Sequence, residues 1–201
     1  MIILIKAVIF DIGGVTIKYP MDGIYHDIEK EFKISKKTIK KIYEKLEPLI
    51  STDKISEKEF WLNLAKYLEI KDVNTFKKVW MNSLKKHGTL NHDVVKIIKN
   101  VKKNGYIVAA LSNVPTPHER LHRKLGHYKF FNRVFLSTKL RMKKPDVKIY
   151  QYVAGKLGVR PEECIFIDDK MDNVIGARKA GMKAILFNSA AQLEKKLKNY
   201  L

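Results

Sequence analysis

Five short apolar runs, each closed by polar residues, constrain this chain more than any other feature. They are IKAVIF before Asp11, YIVAAL before Ser112, RVFL near residue 135, CIFI before Asp168 and KAILF near residue 185. Continuous apolar runs of this length fit strands buried on both faces. Between the later ones lie helical patterns, HDVVKIIKNVKKN, PDVKIYQYVAGKLG and NVIGARKAGM, closed by Asn or Gly. Strands alternating with helices predict an α/β fold, a Rossmann-like parallel sheet with helices on both faces. MIILI, ahead of the first run, reads as the start of a buried strand rather than a secretory signal, because no small-residue cleavage site follows it.

Residues 18–88 break the rhythm. YHDIEKEF, KKTIKKIYEKLEPLI, SEKEFWLNLAKYLEI and NTFKKVWMNSLKK carry helical periodicity and no convincing strand. The expected organisation is a catalytic core of residues 1–17 and 89–201 interrupted by a small helical domain of residues 18–88. Ser56 followed by Glu59 predicts a capping box at one of its helices. Phe60, Trp61 and Trp80 read as packing between those helices.

A chain of 201 residues, 45% of them hydrophobic, suffices for one substantial core and a small accessory lobe. The apolar runs are broken by Lys6 or Asn113 well short of a membrane span, so no transmembrane helix and no membrane partner are expected. The single cysteine, Cys164, has no partner for an internal disulfide and reads as a small buried side chain, which fits the cytoplasm. The net charge of +19 attracts phosphates, nucleic acid and anionic surfaces alike. Its lysines are spread over the solvent faces of amphipathic helices without interleaved aromatics, so a solvated basic surface is favoured over a nucleic-acid site.

Ligands of open parallel sheets bind beyond the carboxyl ends of the strands. FDIGGV puts Asp11 there with Gly13 and Gly14, LSN puts Ser112 and Asn113, MKKPD offers Lys144, and FIDDKMDN offers Asp168, Asp169, Asp172 and Asn173. A carboxylate, a hydroxyl with an amide, a lysine and an acidic cluster make a phosphoryl-transfer site. Asp11 could attack phosphorus, and the donors would hold the oxygens where charge spreads. Mg²⁺ takes one or two protein carboxylates together with phosphate oxygens and water.

The order FDIGGV, LSN, KKPD and IDDKMDNVIGARKAGM is similar to the four motifs of the haloacid dehalogenase-like superfamily, over nearly the whole chain. The resemblance implies a Mg²⁺-dependent hydrolase, a phosphatase of a small phosphorylated metabolite, with residues 18–88 as its cap. It also implies Asp11 as nucleophile and metal ligand, the Gly13 carbonyl as a second ligand, and Ser112 and Asn113 as phosphate binders. Lys144 would steady nucleophile and phosphate. In the last motif it places Asp169, in preference to Asp168, at the metal-binding position and Asn173 at the second acidic position.

One position departs from the pattern. Phosphatases of this superfamily usually carry a second aspartate two residues after the nucleophile to protonate the leaving alcohol, and this chain has Gly13. A positioned acid is worth about two to four orders of magnitude in rate. His26, Tyr25 or Asp22 of the cap, or water, would have to supply that proton. Two alternatives follow from the gap: a non-catalytic binding protein on the same fold, and a haloacid dehalogenase, whose halide leaves without a proton. Separately, His118-Glu119-Arg120-Leu121-His122 matches the zinc-protease pattern HExxH. With Arg120 between the ligands and only His127 as a third, a solvated helix is the expectation there.

Overall fold

A computed structural model describes residues 4–18 and 21–201. Residues 1–3, part of the expected first strand, and residues 19–20 of the expected helical domain lie outside the described residues. The five apolar runs form one parallel sheet of β1 (Ala7–Phe10), β4 (Ile107–Ser112), β5 (Arg133–Leu136), β6 (Cys164–Asp168) and β7 (Lys183–Leu186), in the order β5-β4-β1-β6-β7. Among the described residues the strand begins at Ala7, with Leu4 71% exposed and Ile5 buried ahead of it.

Alternate residues of each central strand feed two separate cores. Val8, Phe10, Val108, Ala110, Ile165 and Ile167 face one side, packed against α5 (His92–Lys103) and α10 (Ala190–Leu197). Ala7, Ile9, Ala109, Leu111, Cys164 and Phe166 face the other, against α8 (Val147–Leu157) and α9 (Met171–Lys179). Burial on both faces is why these strands carry continuous apolar runs. Burial also pushes the Cys164 thiol up to about 12.

Between β1 and α5 the chain builds α1 (Met21–Phe32), α2 (Lys36–Ile50), α3 (Glu57–Tyr67) and α4 (Val73–His87). These helices bury a third, aromatic core of Tyr25, Tyr43, Phe60, Trp61, Phe76 and Trp80. The expected capping box is present: Glu59 N–H donates to Ser56 Oγ at 3.2 Å and Ser56 N–H to Glu59 Oε2 at 2.8 Å. A two-stranded antiparallel ribbon of β2 (Ile17–Lys18) and β3 (Thr89–Leu90) ties the ends of this helical unit together. The sequence reading had no strand there, because two residues are too short to show a period.

The HExxH segment lies within α6 (Thr116–Lys124), with His127 just after it, and corrects an expectation. His118, Glu119, His122 and His127 are all buried, where a solvated helix was expected. The reason is position: Leu121 of α6 packs into the aromatic core of the helical unit, while the other side of α6 covers Tyr128 and His127. The two imidazoles of the motif have different partners, His118 with Trp80 and His122 with His127.

Candidate active site

β1 sits between β4 and β6, so their carboxyl ends bring Asp11, Ser112 and Asp168 to one crevice. Asp11 follows Phe10, Ser112 ends β4 two residues past Ala110, which pairs with Phe10, and Asp168 ends β6 one residue past Ile167, which also pairs with Phe10. Lys144 reaches in from the loop between α7 (Ser137–Leu140) and α8. Its Nζ lies 2.8 Å from Asp11 Oδ1, 2.7 Å from Asp168 Oδ2 and 3.0 Å from the Leu111 carbonyl oxygen. An ammonium has three N–H donors, and all three are used here.

Side chains around this triad fix its members. Ile12 N–H donates to Asp11 Oδ1 at 2.7 Å, and Thr16 Oγ1 donates to the Asp11 carbonyl at 2.8 Å. Asn113 clamps the Lys144 backbone from both sides, donating to its carbonyl at 2.9 Å and accepting from its N–H at 3.0 Å. Asn173 Nδ2 donates to both oxygens of Asp168 at 3.0 Å, and Lys170 N–H to Oδ1 at 2.9 Å. An acid at position 173 would repel Asp168, whereas the amide donates to it.

Two glycines let backbone approach closely. Gly14 has φ +80°, and a Cβ there would stand 2.1 Å from Asp169 Oδ2. At Gly176 of α9 a Cβ would stand 2.4 Å from the Pro145 carbonyl oxygen, so α9 seats directly on the Lys144 loop.

The electrostatics are those of a water-poor site holding excess negative charge. Burial, opposed by Lys144 and assisted by Asp168, raises the Asp11 carboxyl to about 7. Burial and then the charge of Asp168 raise Asp169. Burial would lower Lys144, but Asp11 and Asp168 outweigh it and hold the ammonium above its ordinary range. Asp11, Asp168 and Asp169 offer oxygens that lie within 4.8 Å of one another. Three carboxylates against one ammonium leave room for a cation, and an all-oxygen set suits a hard one.

The structure thus gathers Asp11, Lys144, Ser112, Asn113, Gly13 and Asp169 at one sheet end. It gives Asp168, which the resemblance ranks second to Asp169 as metal ligand, a place as the partner of Lys144. Alternation could have found it: Asp168 is two residues past Phe166, on the same face, and Lys144 Nζ lies 5.3 Å from the Phe166 ring centroid. Thr16, which bonds the Asp11 carbonyl, gave no signal. Of the suggested proton donors, Tyr25 is buried in the aromatic core, while His26 and Asp22 are exposed, beside Glu29 at 3.8 Å and Lys36 at 3.3 Å.

A doubly wound sheet with an acidic cluster and a buried lysine at its carboxyl end defines an α/β hydrolytic or group-transfer class of site. Residues 5–181 match the haloacid dehalogenase-like hydrolase family, and the chain belongs to it. Among curated relatives, a drimenol cyclase from Aspergillus calidoustus is 27% identical over 98% of this chain and 36% of its own length. A glyceraldehyde 3-phosphate phosphatase from Methanopyrus kandleri is 33% identical over 46% of this chain and 41% of its own. The chain thus spans less than half the length of these relatives. A HAD family enzyme from Bacteroides thetaiotaomicron, solved with magnesium and inorganic phosphate, shares the fold with a TM-score of 0.75 at 20% identity, over 94% of this chain and 98% of that one. Among the described residues no helix is long and apolar enough to cross a membrane.

Proposed function

We propose that this chain is a Mg²⁺-dependent phosphatase that removes phosphate from a small phosphorylated metabolite through an aspartyl-phosphate on Asp11. The observation that carries the reading is the buried Asp11–Lys144–Asp168 triad beside Asp169 at the end of β1. The magnesium and phosphate of the Bacteroides enzyme and the activity named for the Methanopyrus relative support it. The helical unit within residues 18–88 would be the cap that closes over the site.

The oxygen-rich donor set fits Mg²⁺, which Asp11, the Gly13 carbonyl and Asp169 would hold. When bound, Mg²⁺ supplies positive charge against the phosphate oxygens as negative charge develops on them. Asp168 is already committed to Lys144, Lys170 and Asn173, which leaves Asp169 the freer ligand. Asp11 Oδ1 is held by Ile12 and Lys144; among the described residues Oδ2 has no hydrogen bond, which makes it the attacking oxygen.

Attack by Oδ2 forms the carboxyl O–P bond as the P–O bond to the alcohol breaks, and the leaving oxygen takes up a proton. Water then attacks phosphorus, releasing inorganic phosphate and restoring the carboxylate. The Ser112 hydroxyl and the Asn113 turn would receive the phosphate oxygens, with the Asn113 side chain keeping Lys144 in place. With Gly13 in place of an acid, the proton comes from solvent. Weakly basic leaving groups therefore turn over fastest.

The test is phosphate release from activated aryl, acyl and alkyl phosphates, with Mg²⁺ or EDTA, for wild type and Asp11→Asn. Metal-dependent release is expected to fall by about four orders of magnitude or more in the variant. Its melting temperature is expected to rise, because a buried carboxylate beside Asp168 has been removed. Wild-type silence on all three substrates would overturn the reading in favour of a non-catalytic binding protein.

A further inference from the structure

The helical unit touches the core at a second place, remote in sequence from the β2–β3 ribbon. On α6, His118 Nε2 accepts from Trp80 Nε1 at 3.3 Å, and its ring stacks on Tyr43, whose own ring stacks on Trp80. Two residues on, Arg120 pairs with Glu57 at 2.7 Å; Glu57 is held at the same time by Lys77 and by Trp61 Nε1. Leu121 packs into the unit's aromatic core. From the end of α7, Arg141 reaches Asp53 at 3.1 Å. The same α6 begins just past Ser112 and Asn113, so one short helix joins the proposed phosphate loop to the helical unit.

We propose that α6 is a latch and His118 its positioning residue: by accepting from Trp80 it keeps the helical unit docked beside the phosphate loop, and so tightens substrate binding without touching substrate. The proposal rests on the reading of this unit as a cap. Burial pushes His118 down to about 4, so at neutral pH the ring is uncharged and its Nε2 is available as an acceptor. Trp80 is fully buried, and among the described residues His118 is the acceptor of its N–H, so removing the acceptor leaves that N–H unpaired.

Two variants separate the hydrogen bond from the packing. His118→Phe keeps a ring and loses the acceptor; His118→Gln puts an amide oxygen near the position of Nε2. Amide hydrogen exchange of α4 and α6 is followed with β4 and β6 as internal reference, together with KM and kcat on an activated aryl phosphate. In His118→Phe, exchange of α4 and α6 and KM are expected to rise about fivefold, the effect of one net hydrogen bond on an equilibrium. The strands and kcat are expected to stay unchanged, and His118→Gln to stay near wild type. The latch is overturned if His118→Phe matches wild type, if β4 and β6 loosen as much as the helices, or if His118→Gln behaves like His118→Phe. Wild-type inactivity would sink the phosphatase reading and leave the exchange comparison to decide the latch.

Discussion

The Lys144 ammonium and the Trp80 indole are both enclosed, one between two carboxylates and a carbonyl, the other among Tyr25, Tyr43, Trp61 and Phe76. The indole is held by contacts that need little direction, with one acceptor for its N–H. The ammonium is held by three directed bonds, and its neighbours carry more charge than it cancels. Apolar burial stabilises the helical unit whatever the chain does for a living. The charged centre is the costlier way to fill a core, and it makes sense only where charge must develop in a reaction.

Lys144→Met and Trp80→Ala break the two regions in turn. Each is expected to cost about 3 to 5 kcal/mol, the first by leaving buried carboxylates unpaired and the second by opening a cavity. The difference lies in the remedy. Added Mg²⁺ is expected to restore part of the stability lost in Lys144→Met and none of that lost in Trp80→Ala, as read by urea midpoints with and without the ion. Equal responses to Mg²⁺ would dissolve the contrast between the regions.

Acid sharpens it further. His118, pushed down to about 4 by burial, binds its proton less readily in the folded chain than in the unfolded one, where its ordinary value is 6.5. Its stabilising contribution is therefore complete above pH 6.5 and is lost as pH falls to about 4, up to about 3 kcal/mol in all. Asp11, raised to about 7, is protonated first in the folded state and pulls the opposite way through the same window. Wild type and His118→Gln share that term, so the difference between their stability curves isolates the histidine. Glu163 and Asp27, both held at about 2, lose their contributions as pH falls below their ordinary values of 4.5 and 3.8, and both curves share that loss. A wild-type curve parallel to that of His118→Gln between pH 4 and 6.5 would mean that His118 is solvated.

The legibility of the sequence follows the same divide. The five strands could be read because burial on both faces writes continuous apolar runs bounded by polar residues, and the four helices because burial of one face writes a 3.6-residue period. Asp11 and Lys144 were readable as polar residues punctuating apolar runs. Asp168 was harder: next to Asp169 it looked like one of a pair, and only the pleat tells which side chain meets Lys144. The burial of His118 and His122 could not be read from α6 itself. That helix looks polar; His118 is covered by Trp80 of α4, far away in sequence, and His122 by His127 and Tyr128 from the loop that folds back after α6. The β2–β3 ribbon, two residues a side, left no period.

The smallest expected effects come from two helical glycines in different surroundings. At Gly176 a methyl would stand 2.4 Å from the Pro145 carbonyl, so Gly176→Ala must push α9 away from the Lys144 loop. That should cost about 1 to 3 kcal/mol. Lys144 is displaced along with the loop, and a displacement approaching 1 Å at a reacting group costs about a hundredfold in rate, so turnover should suffer more than stability does. Gly155 of α8 has open space where its Cβ would be, so Gly155→Ala meets nothing and gains helix propensity. It is expected to raise stability by about 0.5 to 1 kcal/mol and leave turnover unchanged. Urea midpoints and phosphate release on the two variants check this. Wild-type turnover in Gly176→Ala would show that the loop carrying Lys144 is not positioned by α9, and loss of stability in Gly155→Ala would show that the space beside α8 is not open.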